Sequence, residues 1–251
     1  MPDHLNRIFV LTGSGISADS GIPTFRGREG YWRNLDPTKL ATEAAFVADP
    51  VAVWEWYRER RKRIAASLPN AAHDALAKLA AHANQFLLVT QNVDDLHSRA
   101  QWNGRHLEPA QILQIHGDIF ATRCSRCDFR RRNILEDAGD VPKCPRCRAP
   151  LRPDVVWFDE ELDPAKVREA NDFLARGACD LVLVIGTTAV FPYIADWAIA
   201  AKDGKGTLLE INPNETALSP FADETVRARA AKVTPEIVDG LVSPRRIAAK
   251  R

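Results

Sequence analysis

The sequence predicts an α/β protein whose parallel sheet is covered by helices on both faces. Short apolar runs typical of buried strands alternate along the chain with helix-like segments, which is the pattern of such sheets. A glycine-rich turn follows the first run, and four cysteines in two CxxC pairs lie in a segment with little apolar material. At 251 residues the chain is long enough for one large domain and a small one.

The first predicted strand, residues 8–11, leads directly into GSGISA, which fits the G-x-G-x-x-G/A turn of dinucleotide-binding folds. Gly13 would allow a tight turn, Gly15 would let the backbone approach a pyrophosphate, and Ala18 would let a helix lie close to the sheet. Glycine pairs after strands also form ordinary turns. Gly21 and Pro23 end any helix after about two turns, so the long helix and later ribose-binding acid of a dehydrogenase are missing.

The remaining elements alternate as the fold class requires. A helical region covers residues 38–68, in which Val53, Trp54 and Tyr57 share one face. The other helices are predicted at residues 70–83, 164–177, 193–202 and 235–242. The other strands are predicted at residues 85–90, 180–185 and 206–211, and a further apolar segment within 105–118 ends at His116. Residues 151–160 are expected to return to the main domain as an extended segment.

Two insertions interrupt the main domain. Residues 119–151 hold the paired cysteines and many arginines, and they are too poor in apolar residues to fold without a metal. We therefore predict a main domain of residues 1–37, 71–118 and 152–251. The small domain is predicted to contain the helical insert 38–70 and the cysteine-containing insert 119–151.

Composition excludes several classes of protein. The formal net charge of +1 argues against a general polyanion binder, and no apolar run approaches the roughly 20 residues of a membrane span. The first residues lead straight into a strand, so we expect no signal peptide. Cysteine pairs of this kind suit an intracellular metal site better than a disulfide framework. The expected location is the cytoplasm.

The four paired cysteines have the spacing of a zinc ribbon, with sixteen residues between the pairs. Redox chemistry or chance are the alternatives. Four thiolates close the coordination sphere, so the metal would be structural and could not activate water. The predicted ligands are Cys124, Cys127, Cys144 and Cys147. Cys179 stands alone before an apolar strand and is expected in the core.

Polar residues follow the ends of several predicted strands, where ligands bind in parallel sheets. Gln91, Asn92 and Asp94 come directly after residues 85–90, and helix capping explains one of them, not all three. His116 lies at a neighbouring strand end, which makes it a candidate general base, although a lone histidine is more often an ordinary buried or surface residue. Packing explains the histidines in helical stretches: His73, His82 and His97.

Taken in order, these motifs resemble those of the sirtuins, NAD-dependent protein lysine deacylases. The resemblance covers nearly the whole chain and rests on GSGISADSGIPTFRG, TQNVDDLH, QIHGD, the two CxxC pairs, RPDVVWF, GTT and EINP. It implies a Rossmann-like domain with a smaller domain made of a helical insert and a zinc ribbon. It also implies NAD as cofactor, one structural zinc ion and acyl-lysine proteins or peptides as substrates. We expect a monomer, with no specific nucleic-acid partner.

The resemblance also implies roles for individual residues. His116 would be the catalytic base, assisted by Asn92 and Asp94, and would activate a ribose hydroxyl after an acyl-lysine oxygen attacks the ribose carbon bearing nicotinamide. The acyl group would leave on ADP-ribose. Residues implied in NAD binding are Gly13, Ser14, Gly15, Ala18, Phe25, Arg26, Gln91, Asn92, Asp94, Gly186, Thr187, Thr188, Asn212 and Ala230. Residues implied beside the acyl-peptide are Val156, Trp157 and Phe158.

Tyr57 and Arg60 lie one helical turn apart and resemble the pair that marks desuccinylase-type sirtuins. An arginine beside a tyrosine hydroxyl can bind the carboxylate of a succinyl, malonyl or glutaryl group. The alternative is that Arg60 belongs to a charged helix surface. Asp154 and Asp159 stand where related sequences have His and Gly, beside the expected peptide groove, and so bear on peptide preference.

Three functions other than deacylation have some of the same sequence features. An NAD-dependent ADP-ribosyltransferase would share the cleft and His116, and only its products would distinguish it. A dehydrogenase lacks its ribose-binding acid. A zinc-ribbon nucleic-acid binder would rest on the arginines around the cysteines, but the near-neutral charge and the glycine turns count against it.

Overall fold

The computed structural model describes residues 5–24, 39–132 and 140–243. In this part of the chain the strands are β1 Arg7–Thr12, β2 Gln85–Thr90, β3 Ile112–Gln114, β4 Gly117–Cys124, β5 Arg130–Arg132, β6 Leu151–Val155, β7 Leu181–Ile185, β8 Thr207–Ile211 and β9 Glu224–Val226. The helices are α1 Glu43–Ala48, α2 Pro50–Ala66, α3 Ala71–His82, α4 Leu96–Arg99, α5 Pro164–Ala175, α6 Pro192–Lys202 and α7 Ala230–Val242. No helix among these residues is long and apolar enough to cross a bilayer.

A six-stranded parallel sheet forms the larger part of the molecule, as predicted. Its strand order is β3-β2-β1-β7-β8-β9, with β1 and β7 at the centre. Every residue of these two central strands is buried, which explains the apolar runs at residues 8–11 and 181–185. Separate hydrophobic clusters cover the two faces, one including α3 and α7 and the other including α5 and α6.

The smaller part is a three-stranded antiparallel sheet, β5-β4-β6, packed against α1 and α2. Its core includes Trp54, Tyr57, Phe120 and Trp157, so the cysteine-containing segment has more apolar support than its composition suggested. β6 pairs with β4 here and does not lead directly into the main sheet, contrary to the expectation for residues 151–160. Pro153 concealed this strand, because proline is rare in strands, and it lies beside a shift in the β4–β6 register.

Several boundaries differ from the sequence prediction for local reasons. The helical region before residue 68 is two helices, since Asp49 caps the second one and Pro50 occupies its first turn. The glycine-rich turn forms two 3₁₀ turns and not an α-helix, and it ends at Gly21 in the left-handed conformation. The last helix begins at Ala230, five residues before Pro235, which was expected to start it. Strand β9 was missed because it is short and mostly exposed.

Candidate active site

A cavity of about 1460 Å³ opens at the carboxyl ends of β1, β2, β7 and β8. Parallel strands end together at this edge, so residues far apart in sequence meet here. The cavity is lined by these residues from the sequence analysis: Gly13, Ser14, Gly15, Ala18, Tyr57, Arg60, Gln91, Asn92, His116, Val156, Trp157, Phe158, Gly186, Thr187, Thr188 and Asn212. The structure thus gathers most of the predicted site into one cleft.

Four of the predicted residues are placed differently or fall outside the described chain. Asp94 and Ala230 are buried next to the cleft but do not line it. Phe25 and Arg26 lie outside the described residues. The cleft also contains residues that the sequence analysis did not single out as part of the site, notably Tyr193 in the first turn of α6.

Two glycine turns cross at the base of the cleft. A Cβ atom on Gly15 would lie 2.7 Å from the Cα atom of Gly186, and one on Gly186 would lie 2.5 Å from the backbone nitrogen of Ile16. The Gly15 amide donates to the Gly186 carbonyl at 2.8 Å. Gly186 also has a φ of 63°, which favours glycine. The turns that follow β1 and β7 can therefore cross this closely only with glycine at both positions. The phosphate contact that the sequence predicts for Gly15 stays a prediction.

Side chains tie the strand ends together beside these turns. The Gln91 amide donates to the Thr187 hydroxyl at 2.7 Å, and the Asn212 amide donates to the Thr187 carbonyl at 2.8 Å. These bonds link the loops after β2, β7 and β8. The cleft wall is therefore preorganised by polar groups whose partners are already fixed.

A buried polar network supports Asn92. Its amide donates to the Gly13 carbonyl at 3.2 Å and to the Ser17 hydroxyl at 3.1 Å, and Ser17 in turn donates to Asp94 at 3.0 Å. Asp94 also accepts the backbone amide of Leu96, the first residue of α4. Burial raises the pKa of Asp94 to about 6. Asp94 is thus placed behind Asn92, where it orients the loop.

Two further histidines extend this network away from the cleft. His97 lies 3.0 Å from the Thr12 hydroxyl, and His73 lies 3.4 Å from the Ser17 hydroxyl. Both are buried, and burial lowers the pKa of each, to about 3 for His73. Neither is among the described residues that line the cavity. They are neutral packing residues, as their sequence context indicated.

His116 is held by hydrogen bonds at both ring nitrogens. Its Nδ1 lies 2.9 Å from the Gln91 carbonyl oxygen, and its Nε2 lies 2.6 Å from the Tyr193 hydroxyl. A carbonyl can only accept, so the proton of the neutral ring is on Nδ1 and Nε2 is the basic atom. Burial lowers the pKa of His116 to about 4; the Lys166 cation acts in the same direction, and the Gln91 hydrogen bond opposes it.

Tyr57 and Arg60 also line the cleft. The Tyr57 hydroxyl accepts the Trp157 indole N–H at 3.0 Å, and burial raises the pKa of Tyr57 so that its proton remains available to donate. The Arg60 guanidinium carbon lies 4.7 Å from the Trp56 ring centroid. Arg152 stacks on the Trp157 ring at 3.2 Å and pairs with Glu160, which fixes the indole.

Asp154 and Asp159 both have partners within the protein. Asp154 lies 3.4 Å from Arg130 and 3.9 Å from Arg123. Both carboxylate oxygens of Asp159 accept the Glu43 backbone amide, at 3.0 and 2.9 Å, at the start of α1. Asp159 therefore stabilises the N-terminus of that helix.

The paired cysteines converge on one point of the small sheet. The four sulfur atoms lie within 4.8 Å of one another, with Cys124 and Cys147 3.4 Å apart and Cys127 and Cys144 3.6 Å apart. Zn–S bonds of about 2.3 Å in a tetrahedron place sulfurs about 3.8 Å apart. Backbone amides of Arg126 and Cys127 donate to the Cys124 sulfur, which favours a thiolate. The arrangement fits one structural zinc ion.

Comparisons with known proteins agree with this geometry. The family model described as Sir2 family matches residues 13–192. An NAD-dependent protein deacylase of Pyrococcus abyssi is 40% identical over 237 residues, covering 91% of this chain and 90% of its own length.

Solved structures show the same fold. A mutant of a Sir2 homologue in complex with ADP-ribose is 38% identical, with a TM-score of 0.86 over 94% of this chain and 92% of its own. A Sir2 homologue in complex with NAD is also 38% identical, with a TM-score of 0.82 over 94% and 90% of the two chains. Fold, cleft and sequence agree along almost the whole length: the chain belongs to the Sir2 family.

Proposed function

We propose that this protein is an NAD-dependent protein lysine deacylase that removes succinyl and malonyl as well as acetyl groups. The observation that carries this proposal is the common cleft, in which His116, the crossed glycine turns and the Tyr57–Arg60 pair all form parts of one wall. Relatives of the Sir2 family named as NAD-dependent protein deacylases support the enzyme class. The acyl preference rests on the chain's own residues.

The cleft fits NAD at its glycine-lined end. The two turns bring Gly13, Gly15 and Gly186 and the hydroxyl-bearing residues Ser14 and Thr188 to the cavity lining, and the cavity has room for a dinucleotide. When bound, NAD supplies the ribose carbon that receives the acyl oxygen, and nicotinamide departs from it. Residues proposed to hold NAD are Gly13, Ser14, Gly15, Ala18, Gln91, Asn92, Gly186, Thr187, Thr188 and Asn212, with Phe25 and Arg26 added by resemblance alone. Asp94 and Ala230 would act from behind the cleft wall.

His116 is the proposed general base. Its Nδ1 proton is committed to the Gln91 carbonyl, so Nε2 is the atom that accepts a proton from a hydroxyl in the cleft. The low pKa of about 4 keeps the ring neutral, and therefore able to accept, at every pH above about 5. No metal is needed for this step.

The Tyr57–Arg60 end of the cleft is the proposed acyl site. Arg60 brings a positive charge to a cleft that Val156 and Trp157 also line, and the Tyr57 hydroxyl retains a proton that it can donate. A dicarboxylic acyl chain carries a carboxylate that both groups can bind, whereas an acetyl group has none. This chemical complementarity supports desuccinylation.

Other properties are part of the same proposal. The four cysteines would hold zinc as a fold-stabilising ion. The two domains predicted from the sequence are part of the same proposal, with the boundary moved so that β6 belongs to the small domain. A cytoplasmic monomer acting on acyl-lysine proteins or peptides, without membrane or nucleic-acid partners, is proposed from the sequence alone.

Mass spectrometry of the reaction products tests the function. The protein is incubated with NAD and two peptides of one sequence, which carry acetyl-lysine or succinyl-lysine. Deacylated peptide, free nicotinamide and O-acyl-ADP-ribose are expected, and the faster peptide identifies the preferred acyl group. ADP-ribose attached to protein would instead establish the transferase, and absence of NAD consumption with either peptide would contradict the proposal.

A further inference from the structure

The Tyr193 side chain lies in the cleft beside His116, the proposed general base. The Tyr193 hydroxyl lies 2.6 Å from Nε2 of His116, although the two residues are 77 positions apart in the sequence. Nε2 carries no proton in the neutral ring, because the single ring proton is on Nδ1, which donates a hydrogen bond to the Gln91 carbonyl. Tyr193 must therefore be the donor. Its O–H group is directed at the lone pair that a general base uses.

The tyrosine ring is held firmly in this position. It stacks on Phe191, with centroids 5.7 Å apart and planes inclined at 16°, and its other contact is the edge of Trp197 at 5.3 Å. The ring is nearly perpendicular to His116, at 89°. Tyr193 also directly follows Pro192, whose fixed φ begins α6. Aromatic packing and backbone together aim the hydroxyl at the imidazole.

The hydroxyl keeps its proton throughout the working range of pH. Burial raises the pKa of Tyr193 to about 12, so this group donates at neutral pH and does not act as a base. A hydrogen bond donated to the neutral imidazole stabilises the neutral form against the imidazolium. The other groups that act on His116 are the Lys166 cation of α5 and the Gln91 carbonyl.

We propose that Tyr193 is a positioning residue for His116: its hydroxyl holds the imidazole with Nε2 turned to the cleft and then yields that nitrogen to the hydroxyl of the bound substrate. The inference rests on the proposed role of His116 as the general base. Tyr193 itself neither gains nor loses a proton in this scheme. Because it binds the resting base, it also prevents water or a stray cation from occupying Nε2 between turnovers.

Tyr193→Phe isolates the hydroxyl, since the ring and its stacking on Phe191 are preserved. Tyr193→Ala removes the ring as well. The first readout is nitrogen-15 NMR of the histidine side chains between about pH 3 and pH 8, a range that includes the His116 pKa of about 4, with His116 assigned from a His116→Gln variant. This measurement needs no turnover, so it tests the interaction even if the proposed deacylase activity were absent.

In Tyr193→Phe, we expect the pKa of His116 to rise by roughly 0.5–1 unit, the equivalent of one hydrogen bond. The acidic limb of the kcat/KM profile for acetyl-lysine peptide should move by the same amount, because that profile reports the free enzyme. The kcat on the neutral plateau should change less than about threefold, whereas Tyr193→Ala should lose about tenfold or more because the ring no longer orients His116.

Two results would overturn the inference. An unchanged His116 pKa in Tyr193→Phe would show that the hydroxyl does not bind Nε2 in solution. A loss of about a hundredfold in kcat at every pH would place Tyr193 in the path of the proton, which is a catalytic and not a positioning role. If the NMR shift appears but neither acyl peptide is turned over by the wild type, the proposed function fails and the His116–Tyr193 interaction stands.

Discussion

Replacing Arg60 with methionine tests the acyl site most directly. Arg60 is only 9% exposed, and its guanidinium packs over the Trp56 ring at 4.7 Å in the cleft wall. Methionine fills a similar volume without the charge. A hydrogen bond to a charged group contributes about 1.5–3 kcal/mol, so kcat/KM for a succinyl-lysine peptide should fall roughly ten- to 150-fold. An acetyl group has no carboxylate, so deacetylation should change less than about threefold.

The assay compares the two peptides at matched sequence, with initial rates measured by mass spectrometry at several peptide concentrations. Arg63→Met is the matched control: Arg63 lies on the same helix, is largely exposed and pairs with Glu59. Its loss should leave both activities near the wild-type values. Thermal unfolding of Arg60→Met measures any destabilisation of the protein that results from the lost cation–π contact. Such a destabilisation would lower the activity on both peptides equally. Equal losses of desuccinylation and deacetylation in Arg60→Met would refute the assignment.

Three further predictions concern stability. Gly186→Ala should lower the free energy of unfolding by at least about 2 kcal/mol in urea denaturation, because the new Cβ atom would lie 2.5 Å from the Ile16 nitrogen on a left-handed backbone. The control is Gly204→Ala, where φ is 65° and the space is open, and it should lower the free energy of unfolding by only about 1 kcal/mol. Equal losses in the two variants would contradict the argument that the two turns cross closely at Gly186. Removal of bound metal by a strong chelator should lower the Tm, because Cys124 and Cys144 lie in the core of the small domain. Metal analysis of the untreated protein should find one zinc ion per chain. An unchanged Tm after chelation would exclude a structural ion. Burial raises the pKa of Asp94 to about 6, so between about pH 4 and pH 6 the folded protein binds more protons than the unfolded chain. Ionisation of this carboxyl should therefore lower the free energy of unfolding by roughly 2–3 kcal/mol as the pH rises through that window. The difference in unfolding free energy between wild type and Asp94→Asn should change with pH by this amount, and a difference independent of pH would contradict the prediction.

The parallel sheet and the meeting of several polar residues at its edge could be predicted because they depend on local signals. Apolar runs followed by glycine or polar residues mark strand ends, and parallel strand ends lie on one edge whatever the connections between them. Gln91, Asn92 and His116 were found in this way, whereas Thr187 and most other cleft residues were implied by the resemblance to the sirtuins. The paired cysteines were equally local, since their spacing alone restricts the geometry of a metal site.

Contacts between distant parts of the chain could not be predicted in this way. Ser17 donates to Asp94 across 77 positions, and neither residue type nor spacing reveals the pair. The close approach of Gly15 to Gly186 likewise depends on two turns meeting in the fold, so the sequence, which predicts a phosphate contact for Gly15, does not reveal it. Tyr193 looked like an ordinary helix residue, because the sequence does not show that α6 begins beside His116.

One of the two acidic departures from the sirtuin motifs, Asp159, supports a link between the helical insert and the cleft wall at Trp157 and Phe158. Asp159 accepts the Glu43 amide, and the neighbouring Phe158 amide donates to the Ala41 carbonyl at 3.0 Å, so two adjacent residues of this wall attach to the start of the insert. Tyr57, in the middle of the same insert, accepts the Trp157 indole N–H. Because Tyr57 and the segment with Trp157 and Phe158 share these attachments, a shift of the insert would move both together. For the proposed acyl site, we therefore expect selectivity to depend on how the insert is anchored as well as on the charge of Arg60.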